Sequence, residues 1–406
     1  MSSEQLIQKA NAYLQRLCVE IPTRRLGSAG NRAATDFVAQ VVALFGFQVE
    51  CPAFACMDWI QEGAHLAVNG ESFELFVSPY SLGCSVCAPL VVVSTADELE
   101  MADATNQVLL LRGNLAKEQL MPKNFVFYNP DEHKRIIHLL ETKSPRAIIA
   151  ATTRNPETSG AVYPFPLIED GDFDIPSVYL TEEEGDRLAR HVGAPVSLDI
   201  RATRIPATGC NVIARKGVTK RRVVLTAHVD AKDGTPGALD DAAGVATLLL
   251  LAELLREYRG QLGIEIAILN GEDHYSAAGE MNYLQSARWD EIQLCINLDD
   301  LGFHQGSTAF SLYECPDALA RTIRNTLTRH PGIVEGEQWH QGDHMVFVQN
   351  KVPALAITSE KIIELMSTIG HTAKDVPALV DCNKLASTAR ALKELLVDLD
   401  NLQSAI

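Results

Sequence analysis

Residues 221–244, RRVVLTAHVDAKDGTPGALDDAAG, constrain the fold of this chain more than any other segment. Residues 223–225 form an apolar run bounded by turn-forming residues, which predicts a buried strand. His228 and Asp230 follow two residues apart, so their side chains point to the same side of an extended chain. A turn and an apolar helical stretch come next. The segment therefore predicts a buried strand that ends in polar side chains and is followed by a helix.

Asp240 and Asp241 lie where that helix is expected to begin. At such a position, a carboxylate commonly caps the helix and interacts favourably with its dipole, so one of the two is expected to be a cap. Together with His228 and Asp230 just upstream, the acidic pair indicates a cluster of metal ligands.

The remainder of the chain predicts two parts. After Gly209, strands such as residues 264–270 and 294–298 alternate with helices, which indicates a three-layer α/β/α sandwich with a mixed, mostly parallel sheet. Helices are also expected at residues 4–18 and 32–45. Short β-like runs dominate in between. We therefore expect a discontinuous catalytic domain, residues 1–52 and 198–406, that carries an inserted β-rich domain at residues 53–197.

Further candidate ligands follow the predicted strands, where sites in α/β sheets gather. Glu272 and Asp273 follow residues 264–270, Asp299 follows residues 294–298, and His371 lies in a late loop. Imidazole and carboxylate ligands without thiolate suit catalytic zinc, manganese or cobalt. Because carboxylates outnumber histidines, two ions that share a bridging carboxylate are the natural arrangement.

Composition excludes several classes of partner. The net charge of −17 argues against sequence-independent nucleic-acid binding, which requires clustered basic residues. The nine cysteines are scattered and are interpreted as reduced thiols. A polar N-terminus and the absence of a long apolar run predict a cytoplasmic protein without a membrane partner. The sequence leaves the oligomeric state open.

Six motifs occur in an order that resembles a known family. They are HVD (228–230), GALDDAAG (237–244), NGED (270–273), NLDDLG (297–302), GDHMVF (342–347) and GHTAKD (370–375). This order is similar to that of the zinc-dependent exopeptidases of the aminopeptidase Y and aminopeptidase S type, whose relatives include glutamate carboxypeptidase and glutaminyl cyclase. The resemblance covers residues 1 to about 52 and 200 to 406. The insertion is similar to a protease-associated domain.

The resemblance implies a role for each motif residue. It implies five ligands for two zinc ions: His228 and Asp299 for one ion, Asp273 and His371 for the other, and Asp240 between them. Glu272 would be the general base that takes a proton from a metal-bridging water and passes it to the leaving amine. Asp230 would accept the second ring N–H of His228 and fix its tautomer. Asp343 and His344, at a family motif near the site, would either help to bind the substrate or its oxyanion or make a structural hydrogen bond.

The chain departs from the family pattern at two positions. Asp273 stands where the family usually has glutamate, so this ligand is one methylene shorter and the backbone must approach the ion more closely. Gly370 stands where some relatives place a tyrosine near the oxyanion, so another donor, His344 or Tyr275, would be needed.

The function expected from these motifs is that of a di-zinc aminopeptidase acting on peptides. Alternatives on the same scaffold are a dipeptidase or carboxypeptidase and a mono-zinc enzyme that resembles glutaminyl cyclase. A non-catalytic binding protein is an alternative from another class, although every ligand type is retained.

Overall fold

The computed structural model describes residues 1–21, 23–125, 129–154, 163–217 and 221–404. The chain divides into two compact units. The first contains Met1–Cys56, Thr208–Leu365 and Ile369–Ile406, and the second contains Met57–Ala207 and Met366–Thr368. The domain boundaries expected from the sequence, at residues 53–197, stay a prediction.

The described residues form strands and helices throughout both units. The strands are β1 (Gln48–Glu50), β2 (Ala53–Val68), β3 (Glu71–Phe73), β4 (Phe76–Val77), β5 (Cys84–Val93), β6 (Val108–Leu111), β7 (Ala147–Thr152), β8 (Ser177–Thr181), β9 (Pro195–Cys210), β10 (Val212–Lys216), β11 (Arg222–His228), β12 (Gly263–Leu269), β13 (Ile292–Leu298), β14 (Thr308–Tyr313), β15 (Ile333–Glu335) and β16 (Ala354–Ser359). The helices are α1 (Ser3–Gln15), α2 (Ala29–Ala43), α3 (Ala96–Met101), α4 (Asp131–Lys143), α5 (Glu182–Ala189), α6 (Ala243–Leu254), α7 (Ala278–Ser286), α8 (Asp317–Leu327), α9 (His344–Gln349), α10 (Ile362–Thr368) and α11 (Cys382–Ser404).

The sheet of the first unit has the strand order β1-β10-β12-β11-β13-β16-β14-β15. Its central strands β12, β11, β13 and β16 are parallel neighbours, whereas β10 and β14 run antiparallel to their partners β12 and β16. Every residue of β11 and β12 is buried. Runs rich in valine, isoleucine and leucine suit strands that are covered on both faces. Because the central strands share one direction, their carboxyl ends lie along one edge of the sheet.

Helices pack around this sheet. The sequence of α6, AGVATLLLLAEL, is apolar nearly all round, and its residues from Ala243 to Ala252 are buried. This helix packs against α1, α2 and α11 and against β11, while α7 contacts β12 and α9 contacts β13 and β16. Side chains cap two of the early helices, with Ser2 accepting from Gln5 at α1 and Ser28 from Asn31 at α2. The predicted α/β sandwich with a mixed sheet is confirmed.

The second unit also contains a mixed sheet, in the order β3-β2-β9-β5-β6-β7-β8-β4. Strands β5, β6, β7 and β8 are parallel; helices α3 and α4 lie between them in sequence, and α5 directly follows β8. Apolar residues such as Leu109, Ile148 and Phe173 form its core. The second unit is therefore α/β in part as well as rich in strands. Its resemblance to a protease-associated domain stays a prediction.

Two further expectations concern thiols and membranes. All nine cysteines are free thiols, two of them exposed and three buried. Among the described residues, no helix is both long enough and apolar enough to cross a bilayer. The expected cytoplasmic location stays a prediction.

Candidate metal centre

The candidate site lies at the carboxyl edge of the first sheet. His228 is the last residue of β11, Asp299 directly follows β13, and the turn at residues 270–273 follows β12. These three strands are neighbours, so their ends meet. Asp240 precedes helix α6, and His371 follows α10. The topology thus collects side chains that are far apart along the chain.

The five predicted ligands form two groups that share Asp240. In the first group, Nε2 of His228 lies 3.0 Å from Oδ1 of Asp240 and 3.6 Å from Oδ1 of Asp299. In the second, Nε2 of His371 lies 3.0 Å from both Oδ2 of Asp240 and Oδ1 of Asp273. Within each group, one ligand atom from every residue lies within 4.8 Å of the others. The two oxygens of Asp240 face different groups, as a bridging carboxylate requires, and the shorter Asp273 reaches its group.

Unpartnered lone pairs in these groups fit a cation. Nδ1 of His228 lies 3.2 Å from the carbonyl oxygen of Asp230, which is the acceptor for a proton on that nitrogen. In this tautomer Nε2 carries a lone pair, and it is buried without a hydrogen-bond partner among the described residues. Oδ2 of Asp273 is also buried without such a partner. Because a buried lone pair without a partner is unfavourable, a cation in each group would satisfy one of these atoms.

The electrostatics of the site also fit a bound cation. Burial, and then the neighbouring Asp240, raise the pKa of the Asp300 carboxyl well above its usual value. Burial by itself lowers the pKa of His371, but the charge of Asp273 and contacts with Asp240 outweigh it and raise the pKa to about 10. Both shifts arise from crowded negative charge in a region that excludes water. Divalent cations bound to imidazole and carboxylate ligands would neutralise that charge.

Of the neighbours Asp240 and Asp241, the first belongs to both ligand groups and the second caps a helix. Oδ1 of Asp241 accepts a hydrogen bond from the N–H of Gly244 at 2.9 Å, and Oδ2 accepts from the N–H of His228 at 3.2 Å. Asp241 therefore caps the start of α6 and ties it to the end of β11. A β-carbon on Gly244 would lie 2.4 Å from Oδ1 of Asp241, so this cap requires glycine there. Asp241 lies outside both ligand groups, as expected.

Asp230 contacts the site differently from the expectation. The ring of His228 approaches the carbonyl oxygen of Asp230, whereas the nearer carboxylate oxygen is 3.7 Å away. That carboxylate instead accepts hydrogen bonds from the backbone N–H groups of Gly271 at 2.5 Å and Asp273 at 3.1 Å. Asp230 is therefore a positioning residue. Its backbone orients the imidazole, and its side chain holds the turn that carries Glu272 and Asp273.

Glu272 lies beside both ligand groups and belongs to neither. Its Oε2 is 4.0 Å from Nε2 of His228, and its side chain is 22% exposed. Burial raises the pKa of Glu272 well above its ordinary value; the charge of His228 opposes this shift, and that of Asp273 adds to it. A carboxyl group that water can reach, with a raised pKa, is suited to exchanging protons with a substrate.

Asp343 and His344 make structural hydrogen bonds, which is one of the two roles expected of them. Their exposed fractions are 1% and 0%. Oδ2 of Asp343 accepts a hydrogen bond from Oγ1 of Thr226 at 3.3 Å, and Nε2 of His344 lies 3.1 Å from the carbonyl oxygen of Trp339. Burial lowers the pKa of His344 to about 4, so the ring is uncharged at neutral pH. The short helix α9 turns these side chains inward, which the motif itself did not reveal.

A set of asparagines orients the turn that contains Glu272, and only one of them, Asn270 in NGED, lies in one of the six sequence motifs. The side chains of Asn31 and Asn270 exchange two amide hydrogen bonds of 2.7 and 3.1 Å. Oδ1 of Asn211 accepts from the N–H of Asn270 at 3.1 Å, and its amide nitrogen donates to the carbonyl oxygen of Gly279 at 2.8 Å. The turn is thus held by Asn31 and Asn211 as well as by Asp230.

An α/β sandwich with two adjacent groups of imidazole and carboxylate side chains that share one carboxylate is typical of metal-dependent hydrolases. Residues 211–396 match Peptidase family M28. The matching segment contains all five ligand candidates and Glu272. The resemblance of the motifs to the zinc-dependent exopeptidases is therefore confirmed.

Solved structures and a curated relative agree with this assignment. The fold matches that of an aminopeptidase from Aneurinibacillus sp. strain AM-1 with a TM-score of 0.75 and 20% identity, over 97% of this chain and 95% of the other. BSAP, a zinc aminopeptidase from Bacillus subtilis, matches with a TM-score of 0.74 and 17% identity, over 97% and 94%. These likenesses show the fold. The sequence is 25% identical over 294 residues to "Probable lipoprotein aminopeptidase LpqL" of Mycobacterium tuberculosis. That match covers 69% of this chain and 55% of the relative, so the chain spans about half of the relative's length.

Proposed function

We propose that this protein is a zinc-dependent aminopeptidase that removes N-terminal residues from peptides with the help of two zinc ions. The observation that carries the proposal is the pair of ligand groups joined by Asp240, with Glu272 beside both and in neither. The family match and the relatives named as aminopeptidases support a metal-dependent exopeptidase.

Each ion would be held by three residues. His228, Asp240 and Asp299 would hold one, and Asp240, Asp273 and His371 would hold the other. Bound zinc ions would supply Lewis acidity, which polarises a carbonyl group and makes water more acidic. The chain itself contributes the fixed directions of the ligands, through the Nδ1 contact of His228 and the hydrogen bonds of Asp230.

Glu272 would carry out the proton transfers. Peptide hydrolysis adds water across the C–N bond, so one proton must leave the attacking water and one must reach the leaving amine. The carboxylate of Glu272 would accept the first proton and donate it to the amine nitrogen as the C–N bond breaks. Its partial exposure leaves room for both partners, and a pKa raised by burial brings the group closer to neutral pH.

The acidic character of the chain favours an aminopeptidase within this class. The chain carries a net charge of −17. A negative field attracts a substrate with a free α-amino group and disfavours one that presents a free carboxylate. A peptide with an unblocked N-terminus is therefore the proposed substrate.

The direct test is a screen of aminoacyl-p-nitroanilides and dipeptides with added zinc, manganese or cobalt. We expect hydrolysis that a chelator abolishes and that added metal restores. Parallel peptides with acetylated N-termini should resist cleavage. Cleavage of the acetylated set with release of the C-terminal residue would instead identify a carboxypeptidase, and cleavage of dipeptides alone would identify a dipeptidase. Absence of hydrolysis with any metal would favour a binding protein.

Metal stoichiometry separates the aminopeptidase from a mono-zinc cyclase. Because Asp240 presents one oxygen to each histidine, we expect two zinc ions per chain, measured by emission spectroscopy on protein freed of excess metal. One ion per chain, together with cyclisation of N-terminal glutamine, would support the cyclase alternative.

A further inference from the structure

An arginine side chain donates hydrogen bonds to the carbonyl groups of the loop that carries Asp240. Arg24 is 2% exposed and donates from Nη1 to the carbonyl oxygen of Pro236 and from Nη2 to that of Gly237, each at 2.7 Å. It also donates to the carbonyl oxygens of Val229 and Leu17, each at 2.9 Å. Four carbonyl groups from three parts of the chain thus converge on one planar cation, which only the fork of arginine accommodates.

An aspartate accepts hydrogen bonds from the N–H groups of the same loop. Asp375 is fully buried, and its Oδ1 accepts from the N–H of Leu239 at 2.8 Å while its Oδ2 accepts from the N–H of Asp240 at 3.1 Å. Its carbonyl oxygen accepts from the N–H of Ala238 at 3.3 Å. Three consecutive N–H groups, ending at the shared ligand itself, therefore bind one residue.

Asp375 also belongs to the turn that carries the other histidine ligand. The N–H of Asp375 donates to the carbonyl oxygen of Thr372 at 3.1 Å, and the N–H of Thr372 donates to that of Ile369 at 3.2 Å. His371 lies within this hydrogen-bonded turn. The distance between the His371 ring and the Asp240 carboxylate is consequently set through Asp375, by contacts that involve neither side chain.

We propose that Asp375, assisted by Arg24, is a positioning residue that presets the bridging carboxylate and thereby determines the affinity of the metal centre, above all at the Asp273 and His371 site. The inference rests on the two-metal centre of the proposed function. A bridging ligand must satisfy two ions at once, so its backbone tolerates little displacement. Residues that orient metal ligands typically contribute about 10- to 100-fold in affinity.

The test is zinc titration of metal-free protein in competition with a chromophoric chelator. In Asp375→Asn, one amide oxygen still accepts a backbone N–H, but the NH₂ group faces the other N–H and repels it. We expect zinc binding to the weaker site to be lowered on the order of 10- to 100-fold, with a smaller change at the tighter site. Asp375→Ala should lower it further.

Asp400→Asn is the matched control. Oδ1 of Asp400 accepts from two consecutive backbone N–H groups, those of Gln261 at 3.0 Å and Leu262 at 2.7 Å. These precede β12, at the end of the strand opposite the metal centre. This variant loses comparable hydrogen bonds, so it should be less stable to urea while it binds zinc as the wild type does.

The outcomes separate the inference from the proposed function. Wild-type protein that binds two zinc ions, with Asp375→Asn binding both at unchanged affinity, overturns the inference alone. Wild-type protein that binds no zinc overturns the proposed function and the inference with it. If circular dichroism shows that Asp375→Asn does not fold, Arg24→Lys decides, because it keeps the charge but loses the fork; unchanged zinc affinity in that folded variant contradicts the proposal.

Discussion

Replacement of Glu272 by glutamine tests the assignment of the proton-transfer group. Glutamine keeps the size of the side chain but cannot take a proton from water. General acid–base groups contribute about 10²- to 10⁴-fold to rate, which corresponds to roughly 3 to 5 kcal/mol in the activation barrier. Since Glu272 lies outside both ligand groups, with Oε2 4.0 Å from Nε2 of His228, the zinc content should stay the same.

The assay measures kcat, KM and zinc content for Glu272→Gln on one aminoacyl-p-nitroanilide. We expect kcat to fall by the stated factor, KM to change little, and the metal to remain. A variant with wild-type kcat would refute the role of general base. A variant that lost zinc along with activity would show instead that Glu272 is a ligand.

Glu280→Gln is the matched control for this experiment. Glu280 lies in α7 and is 4% exposed. Burial, and then the charge of Asp343, raise the pKa of Glu280 well above its usual value, which favours the uncharged form of its carboxyl. Glutamine matches that form in size and charge, and kcat should stay within a few fold of the wild type.

Three other perturbations follow from the geometry. Asp240→Asn removes the shared ligand, so both zinc ions should be lost, whereas Asp299→Asn should lose only the ion near His228; metal analysis of the two purified variants distinguishes these results. Chelation of the wild type should lower its melting temperature, because zinc at 1,000 times its Kd stabilises the native state by about 4 kcal/mol, and a melting temperature unchanged by the chelator would contradict a built metal centre. Asn31→Ala leaves Oδ1 of Asn270 without its donor, while the amide nitrogen keeps the carbonyl oxygen of Cys210, and should reduce the free energy of unfolding by about 1 to 3 kcal/mol in urea, with a smaller loss arguing that water replaces the donor.

The regular elements of the first unit were readable from the sequence, because their patterns are strong. The apolar run ending at His228 became β11, and the uniformly apolar stretch after Asp241 became the buried helix α6. Helices α9 and α10 were not predicted, since six and seven residues give too few turns for a periodic signal. In the second unit, the six-residue helix α3 was not predicted for the same reason.

The five ligand candidates were identified from motifs, and the structure brings all of them together. The contacts of individual atoms were harder to predict from the sequence. The sequence suggested that the carboxylate of Asp230 accepts from His228, but a carbonyl oxygen is the nearer partner and the carboxylate holds the following turn. It left open whether His344 contacts the substrate or makes a structural hydrogen bond, and the start of α9 turns the ring into the interior.

The sequence by itself determined which residue types stand at the ends of which strands, because hydrophobic periodicity and ligand chemistry are local properties. Only the tertiary structure decided which oxygen faces which histidine, and which buried groups hold the loops in place. Asp375 illustrates the reason. It contacts residues more than 130 positions away through backbone N–H groups, which are chemically alike in every residue and leave no mark in the sequence.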